Sequence, residues 1–265
     1  MALAILVTGA TGKQGGAVID ALLSQNAESF IILAVTRDVS RPAARKLGSR
    51  SPSIKLVQGD LDEVPVLLKE AQRVAEQPIW GVYSVQISMG KGVTSEGEIR
   101  QGKSLIDESI KAGVKHFVYS SVERGGDNAS WDNPTPIPHF QTKYEIEHHL
   151  RNATAPGRAG ENMGWTILRP VAKWDRKAVG LAGDELNVDM MSHAFMNVTG
   201  QPAPMAYSFL GSVLTFMVSE MRVMISWFAS DGYRADIQAR RADHPGLLTF
   251  VEWLDQESPF ENAEW

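Results

Sequence analysis

The chain has 265 residues, a hydrophobic fraction of 43% and a net charge of −5 from 26 basic and 31 acidic side chains. That length suits one large α/β domain or a domain with an appendage, and the charge leaves no footprint for direct nucleic-acid binding. The sequence has no cysteine, which excludes disulfide frameworks, thiol nucleophiles and cysteine-ligated zinc. The N-terminus lacks a basic leader, and its apolar run is needed as a strand, so no signal peptide is expected. The most apolar later stretch, Met205–Val218, is too short to span a bilayer. A cytoplasmic protein without membrane contact is the expectation.

An apolar strand over Ala4–Thr8 runs into Gly9, Gly12 and Gly15, and a helix over Gly12–Ser24 follows through Val18, Ile19, Leu22 and Leu23. Gly9 permits the tight turn, Gly12 lets a pyrophosphate approach the backbone, and Gly15 lets the helix pack close to the strand. The helix N-terminus offers unpaired N–H groups and a positive dipole end to phosphate. A merely tight strand-to-helix turn is the plain alternative.

Further strands are expected at Phe30–Val35, Ile54–Gln58, Trp80–Val85, His116–Ser120 and Gly164–Leu168, mostly as continuous apolar runs. Helical patterns lie near Val64–Ala75, Glu96–Ala112 and Thr142–Arg151, and Asp132–Pro138 carries three prolines as an extended connector. The alternation predicts an α/β, Rossmann-type doubly wound parallel sheet over residues 1–175. After Arg169-Pro170 the pattern turns helical. Asn187 is placed to cap a helix ending at Gly200, with further helical patterns at Phe209–Phe228 and Leu247–Leu254. A small helical lobe over residues 176–265 is expected.

The second strand ends Thr36-Arg37-Asp38. An acid here suits the ribose 2′-hydroxyl of NAD, whereas an arginine suits a 2′-phosphate. Arg37 therefore favours NADP(H), with Lys13 and Arg41 near; the alternative is that Asp38 takes the 2′-hydroxyl. Asp60, after the third strand, is placed to accept from adenine or to cap the next helix. Tyr83-Ser84-Val85-Gln86 closes the fourth strand where a nicotinamide would sit. The loop Ser88–Gly92, with Lys91, reads as a lid or as a connector.

His139-Phe140-Gln141-Thr142-Lys143 occupies the place of the Tyr-x-x-x-Lys pair of short-chain dehydrogenases, with His139 for tyrosine and Lys143 kept. Residues i and i+4 share a helix face. Lys143 can hold ribose, and His139 is a competent acid/base or a residue that only packs beside the prolines. Ser120-Ser121 is a weaker candidate. His148-His149 lacks metal-ligand spacing, and no metal site is expected.

These motifs, together with Lys115-His116-Phe117-Val118-Tyr119-Ser120-Ser121, Trp165-Thr166-Ile167-Leu168-Arg169-Pro170 and Leu181-Ala182-Gly183-Asp184-Glu185-Leu186, resemble the NmrA-like family, atypical members of the short-chain dehydrogenase superfamily, closest to fungal ones. The resemblance implies an NADP(H)-binding Rossmann domain. It implies that Thr11, Gly12, Lys13, Gln14 and Arg37 hold phosphates, Asp60 and Leu61 flank adenine, Val85 and Gln86 border nicotinamide, and Lys143 meets ribose. It implies an oxidoreductase of secondary metabolism acting on a small molecule. The alternatives are a non-catalytic redox sensor with a regulatory protein partner, or a cofactor-assisted cyclase. Family members carry an additional pocket-lining segment where Trp174-Asp175-Arg176 joins the two sides directly. A more open pocket, an altered sheet edge or a weakened fold would follow.

Overall fold

The structure, a computed structural model, describes residues 2–88, 90, 92–126, 128–169, 177–180, 186, 188–203, 219–232, 236–243, 245–256 and 258. The chain divides into two compact units. One is Met1–Val122 with Pro138–Arg169 and Lys173–Ala178; the other is Glu123–Ile137 with Pro170–Ala172 and Val179–Trp265. The connector as far as Ile137 therefore groups with the second unit, although it lies within the predicted first domain.

The first unit is built on strands β1 (Leu3–Val7), β2 (Phe30–Thr36), β3 (Ile54–Gln58), β4 (Ile79–Ser84), β5 (His116–Ser120) and β6 (Gly164–Arg169). A short β7 (Lys177–Gly180) completes the order β3-β2-β1-β4-β5-β6-β7. Every pairing from β3 to β6 is parallel. The order reverses direction at β1 and β4, which opens the crevice where doubly wound folds bind ligands. Leu6, Val7, Ile32, Leu33 and Ala34 are fully buried because helices cover both faces. Edge strand β3 instead buries Ile54 and Val57 and leaves Lys55 and Gln58 exposed.

Helix α1 (Lys13–Asn26) follows β1 as expected, and α2 (Pro42–Gly48) is an addition that the sequence reading did not anticipate. Proline at its first turn fits the fixed φ of that position. Helices α3 (Val64–Ala75) and α4 (Ser95–Lys111) match their patterns. Helix α5 (Pro138–Ala153) starts four residues earlier than the predicted Thr142. Pro138 opens it, which makes His139 and Lys143 neighbours one turn apart.

Helices α4 and α5 pack through Gly102. A β-carbon there would stand 2.8 Å from Ile146 Cγ1, so only glycine lets the two helices approach this closely. The inward faces are not purely apolar. Helix α4 buries Glu98 in line with Leu105 and Ile106, and α5 buries Lys143 and Glu147 beside Ile146 and Leu150. Glu147 takes a two-pronged bond from Arg169, at 3.0 Å (Nε to Oε1) and 2.6 Å (Nη2 to Oε2), and also accepts from the Ser121 hydroxyl.

The second unit contains helices Val188–Thr199, Ser219–Ser230, Ile237–Asp243 and Phe250–Gln256. Gly200 ends the first of them with φ +72°, as its position suggests. The last opens with a reciprocal cap, in which Thr249 Oγ1 accepts from Glu252 N at 3.1 Å and Glu252 Oε2 accepts from Thr249 N at 2.6 Å. Lys91, the junction Trp174–Arg176, the Leu181–Glu185 motif, Asn187 and the stretch Met205–Val218 lie outside the described residues. Among the described residues, no helix is long and apolar enough to cross a membrane.

Candidate dinucleotide site

The strand-to-helix turn is shaped by missing side chains. Gly9 has φ +58°, and a β-carbon on it would stand 2.7 Å from Val85 Cγ1. On Gly15 it would stand 2.6 Å from the Gly9 carbonyl carbon and 2.8 Å from the Thr8 carbonyl oxygen. Gly12 is exposed and its N–H donates to Gly9 O at 2.9 Å, which closes the turn. No side chain caps α1, so its first N–H groups point out beside the exposed side chains of Lys13 and Gln14. Thr8 locks the neighbouring strand ends together. Its hydroxyl donates to Val85 O at 3.0 Å and accepts from Val85 N at 2.8 Å.

A cleft of about 430 Å³ opens at these strand ends. Of the predicted residues, Gly9, Thr11, Arg37, Asp60, Leu61 and Val85 line it. Gly12, Lys13, Gln14, Gly15, Gln86, His139 and Lys143 are outside its lining. Arg37 is exposed and makes no ion pair among the described residues. Asp38 is occupied otherwise. The Ser40 hydroxyl and amide hold its carboxyl below the usual range, with Arg41 and Arg45 adding to this. The cleft mouth at β2 therefore presents a free cation beside a committed acid, an arrangement suited to an anion.

On the far wall, Asp60 caps the turn Leu61–Glu63, accepting from Asp62 N at 3.1 Å. Asp62 accepts from Arg100 at 2.6 Å and from Gln101 at 3.0 Å. These bonds join the segment after β3 to the first turns of α4. They keep the Asp62 carboxyl below its usual range, Gln101 contributing most and Arg100 next.

At the β4 end, Gln86 donates through Nε2 to Ser84 Oγ at 2.8 Å, and its buried Oε1 has no partner among the described residues. A buried acceptor without a donor is costly unless something else fills the place. Ser120 donates to Gln14 Oε1 at 3.0 Å. The buried Tyr83 phenol bonds Ser120; burial pushes it up and the Ser120 bond partly offsets this. Ser121 faces Glu147. His149 Nε2 stands 2.7 Å from Asp107 Oδ1 across α4 and α5.

His139 sits half-buried in the first turn of α5, its ring edge-on to Phe140 at 4.8 Å. Lys143 Nζ stands 2.7 Å from Glu98 Oε1, with side-chain exposures of 9% and 1%. Glu98, which also lines the cleft, is a residue the sequence reading missed. Its signal was its phase. It lies one turn before Gly102 and in line with Leu105, on the stripe that faces the core.

The sequence model of the NmrA-like family matches residues 1–157. Over 120 residues the chain is 38% identical to the NmrA-like family domain-containing oxidoreductase lnaB of Aspergillus flavus, covering 44% of this chain and 33% of that protein. Over 153 residues it is 31% identical to the NmrA-like family domain-containing oxidoreductase hkm9 of Aspergillus hancockii, covering 57% and 42%. The chain thus spans less than half the length of these curated relatives. In fold it is similar to Citrobacter sp. triphenylmethane reductase complexed with NADP(H), at TM-score 0.69 and 16% identity over 97% of this chain and 100% of that one. It is also similar to the NADPH-dependent quinone oxidoreductase QOR2 of Escherichia coli complexed with NADPH, at TM-score 0.67 and 17% identity over 95% and 98%. These likenesses bear on the sheet order and the C-terminal helices. With most of the sheet inside the matched segment, the chain belongs to the NmrA-like family.

Proposed function

We propose that the protein binds NADP(H) and is an oxidoreductase acting on a small molecule in a biosynthetic pathway. The observation that carries the reading is Arg37, an exposed, unpaired cation lining the cleft after β2, the strand next to β1 with its uncapped helix start. The residues fit the group. Gly9 and Gly15 let the turn close tightly against Val85 and the Thr8 backbone, which brings the start of α1 to the strand ends, and Gln86 Oε1 waits for a donor such as a carboxamide. In this reading Thr11, Gly12, Lys13 and Gln14 hold the pyrophosphate, and Arg37 the 2′-phosphate. Asp60 and Leu61 flank adenine, Val85 and Gln86 border nicotinamide, and Lys143 holds its ribose. Bound NADPH would supply a hydride. His139, or water in its place, would move the proton, and Lys143 would orient the ribose. The two relatives above carry the word oxidoreductase in their names, and both structural neighbours were solved with NADP(H) or NADPH.

The test is loss of NADPH absorbance across a panel of carbonyl, imine and enone substrates. Turnover with at least one substrate class, reduced by His139→Ala, is expected. A protein that binds NADPH but turns over none of the panel overturns the catalytic part. The second reading, a redox sensor with a protein partner, draws support from His139 standing in place of tyrosine. A sensor must bind NADP+ and NADPH with different affinity, or shift its partner's affinity between them, because equal binding shifts nothing.

A further inference from the structure

We infer that Glu98 is a positioning residue for Lys143, setting the charge and place of the ammonium at the dinucleotide site. This rests on the nucleotide reading above. Three groups meet at one buried carboxylate. Glu98 Oε1 accepts from Lys143 Nζ at 2.7 Å and from Ser88 Oγ at 2.8 Å, and Oε2 accepts from Thr142 Oγ1 at 2.7 Å. The carboxylate thereby ties α4 to the first turns of α5 and to the segment after β4, where Val85 and Ile87 line the cleft.

The ammonium has three donors. One goes to Glu98, and the Tyr119 ring centroid lies 5.5 Å from Nζ, which leaves a donor for a ribose hydroxyl. Other charged groups do not replace Glu98. From α4 only Glu98 pairs with Lys143. On α5, His139 lies one turn before and Glu147 one turn after, and Glu147 is neutralised by Arg169 of β6.

A buried ion pair is poor glue between helices, since apolar side chains of the same size hold as well or better. This pair has its acid on the cleft wall and a lysine that is buried but for 9% of its side chain. That placement suits a device for keeping a lysine protonated and aimed. In the tyrosine-lysine arrangement the lysine tunes a phenol; here the lysine is itself held by an acid one helix away.

NADPH and NADH are titrated by fluorescence into the wild type, Glu98→Gln, Glu98→Asp and the Glu98→Gln/Lys143→Met double variant, from slightly acid to moderately alkaline pH. Glu98→Gln is expected to weaken both cofactors by about tenfold near neutrality, the loss of one charge-assisted bond. Its affinity falls further as pH rises, because a buried ammonium without its counter-charge gives up its proton. Glu98→Asp keeps a flat profile with a smaller loss. The double variant is weak and flat. If Glu98→Gln fails to fold, Glu98→Asp carries the test: a loss of affinity smaller than the double variant's supports the inference, and a folded Glu98→Asp with wild-type affinity overturns it. A folded Glu98→Gln with wild-type affinity and pH profile also overturns it, as does a loss that is the same at every pH. A folded wild type that binds no NADPH overturns the nucleotide reading itself, a result distinct from either of these.

Discussion

Two halves of the same sheet edge solve different problems. At the ends of β1 and β2, shape comes from the backbone. Gly9 and Gly15 let the turn pack tightly, Thr8 ties strand to strand, and the ion pair nearby, Asp38 with Arg41, stands in solvent. At the ends of β5 and β6, shape comes from buried charge. Glu98 holds Lys143, and Glu147 holds Arg169 and Ser121. The contrast teaches where each half is fragile. The first tolerates altered charges and rejects a methyl group; the second tolerates neither partner's loss.

The largest expected effect tests the second half. Glu147→Ala leaves the fully buried Arg169 without its acid, and unfolding in denaturant should show a loss of about 3–5 kcal/mol. A loss below about 1 kcal/mol would put this pair with the surface pairs. Next comes Gly15→Ala. Helix propensity alone favours the alanine by about 1 kcal/mol. The clash with the Gly9 and Thr8 backbone should reverse that sign, with a net loss of about 1–3 kcal/mol and weakened nucleotide binding. Stabilisation by this variant would mean that the turn is looser than its distances imply.

Arg37→Ala sharpens the comparison by touching charge alone. Thermal stability should stay unchanged, while the preference for NADPH over NADH falls by about 1.5–3 kcal/mol, one charged hydrogen bond. An unchanged preference would move the 2′-phosphate to Lys13 or Arg41. The smallest effect belongs to Asp62→Asn, an exposed pair with Arg100 worth about 0–1 kcal/mol. The sign of its pH dependence is set by the bonds from Gln101 and Arg100, which lower the Asp62 value in the folded state. Its contribution is present above the unfolded value of 3.8 and is lost as pH falls through the lower folded one. An acid-unfolding midpoint that moves down in the variant would contradict this.

What was legible in the sequence follows the same divide. Gly9 and Gly15 could be read because a glycine in a strand-to-helix turn has few physical reasons to be there. Most of the parallel strands could be read because strands covered on both faces appear as unbroken apolar runs, such as Phe30–Val35. Helix α2 escaped because seven residues with only Ala44 and Leu47 buried carry too little periodicity. The early start of α5 escaped because Pro138 looked like the end of a connector rather than the first turn of a helix. Glu98 and Glu147 escaped because Ser95-Glu96-Gly97-Glu98 and Glu145-Ile146-Glu147 look like solvated faces. Their burial depends on which way two helices turn against the sheet, and only the phase with Gly102 and Leu150 hints at it.

The central claim is that the backbone-shaped half holds a phosphorylated dinucleotide. The most direct test is a fluorescence titration of the purified, folded protein with NADPH, NADP+ and NADH. The account predicts saturable binding that prefers NADPH and NADP+ to NADH, with that preference lost in Arg37→Ala. A folded protein that binds none of the three, or binds NADH as tightly as NADPH, would contradict it.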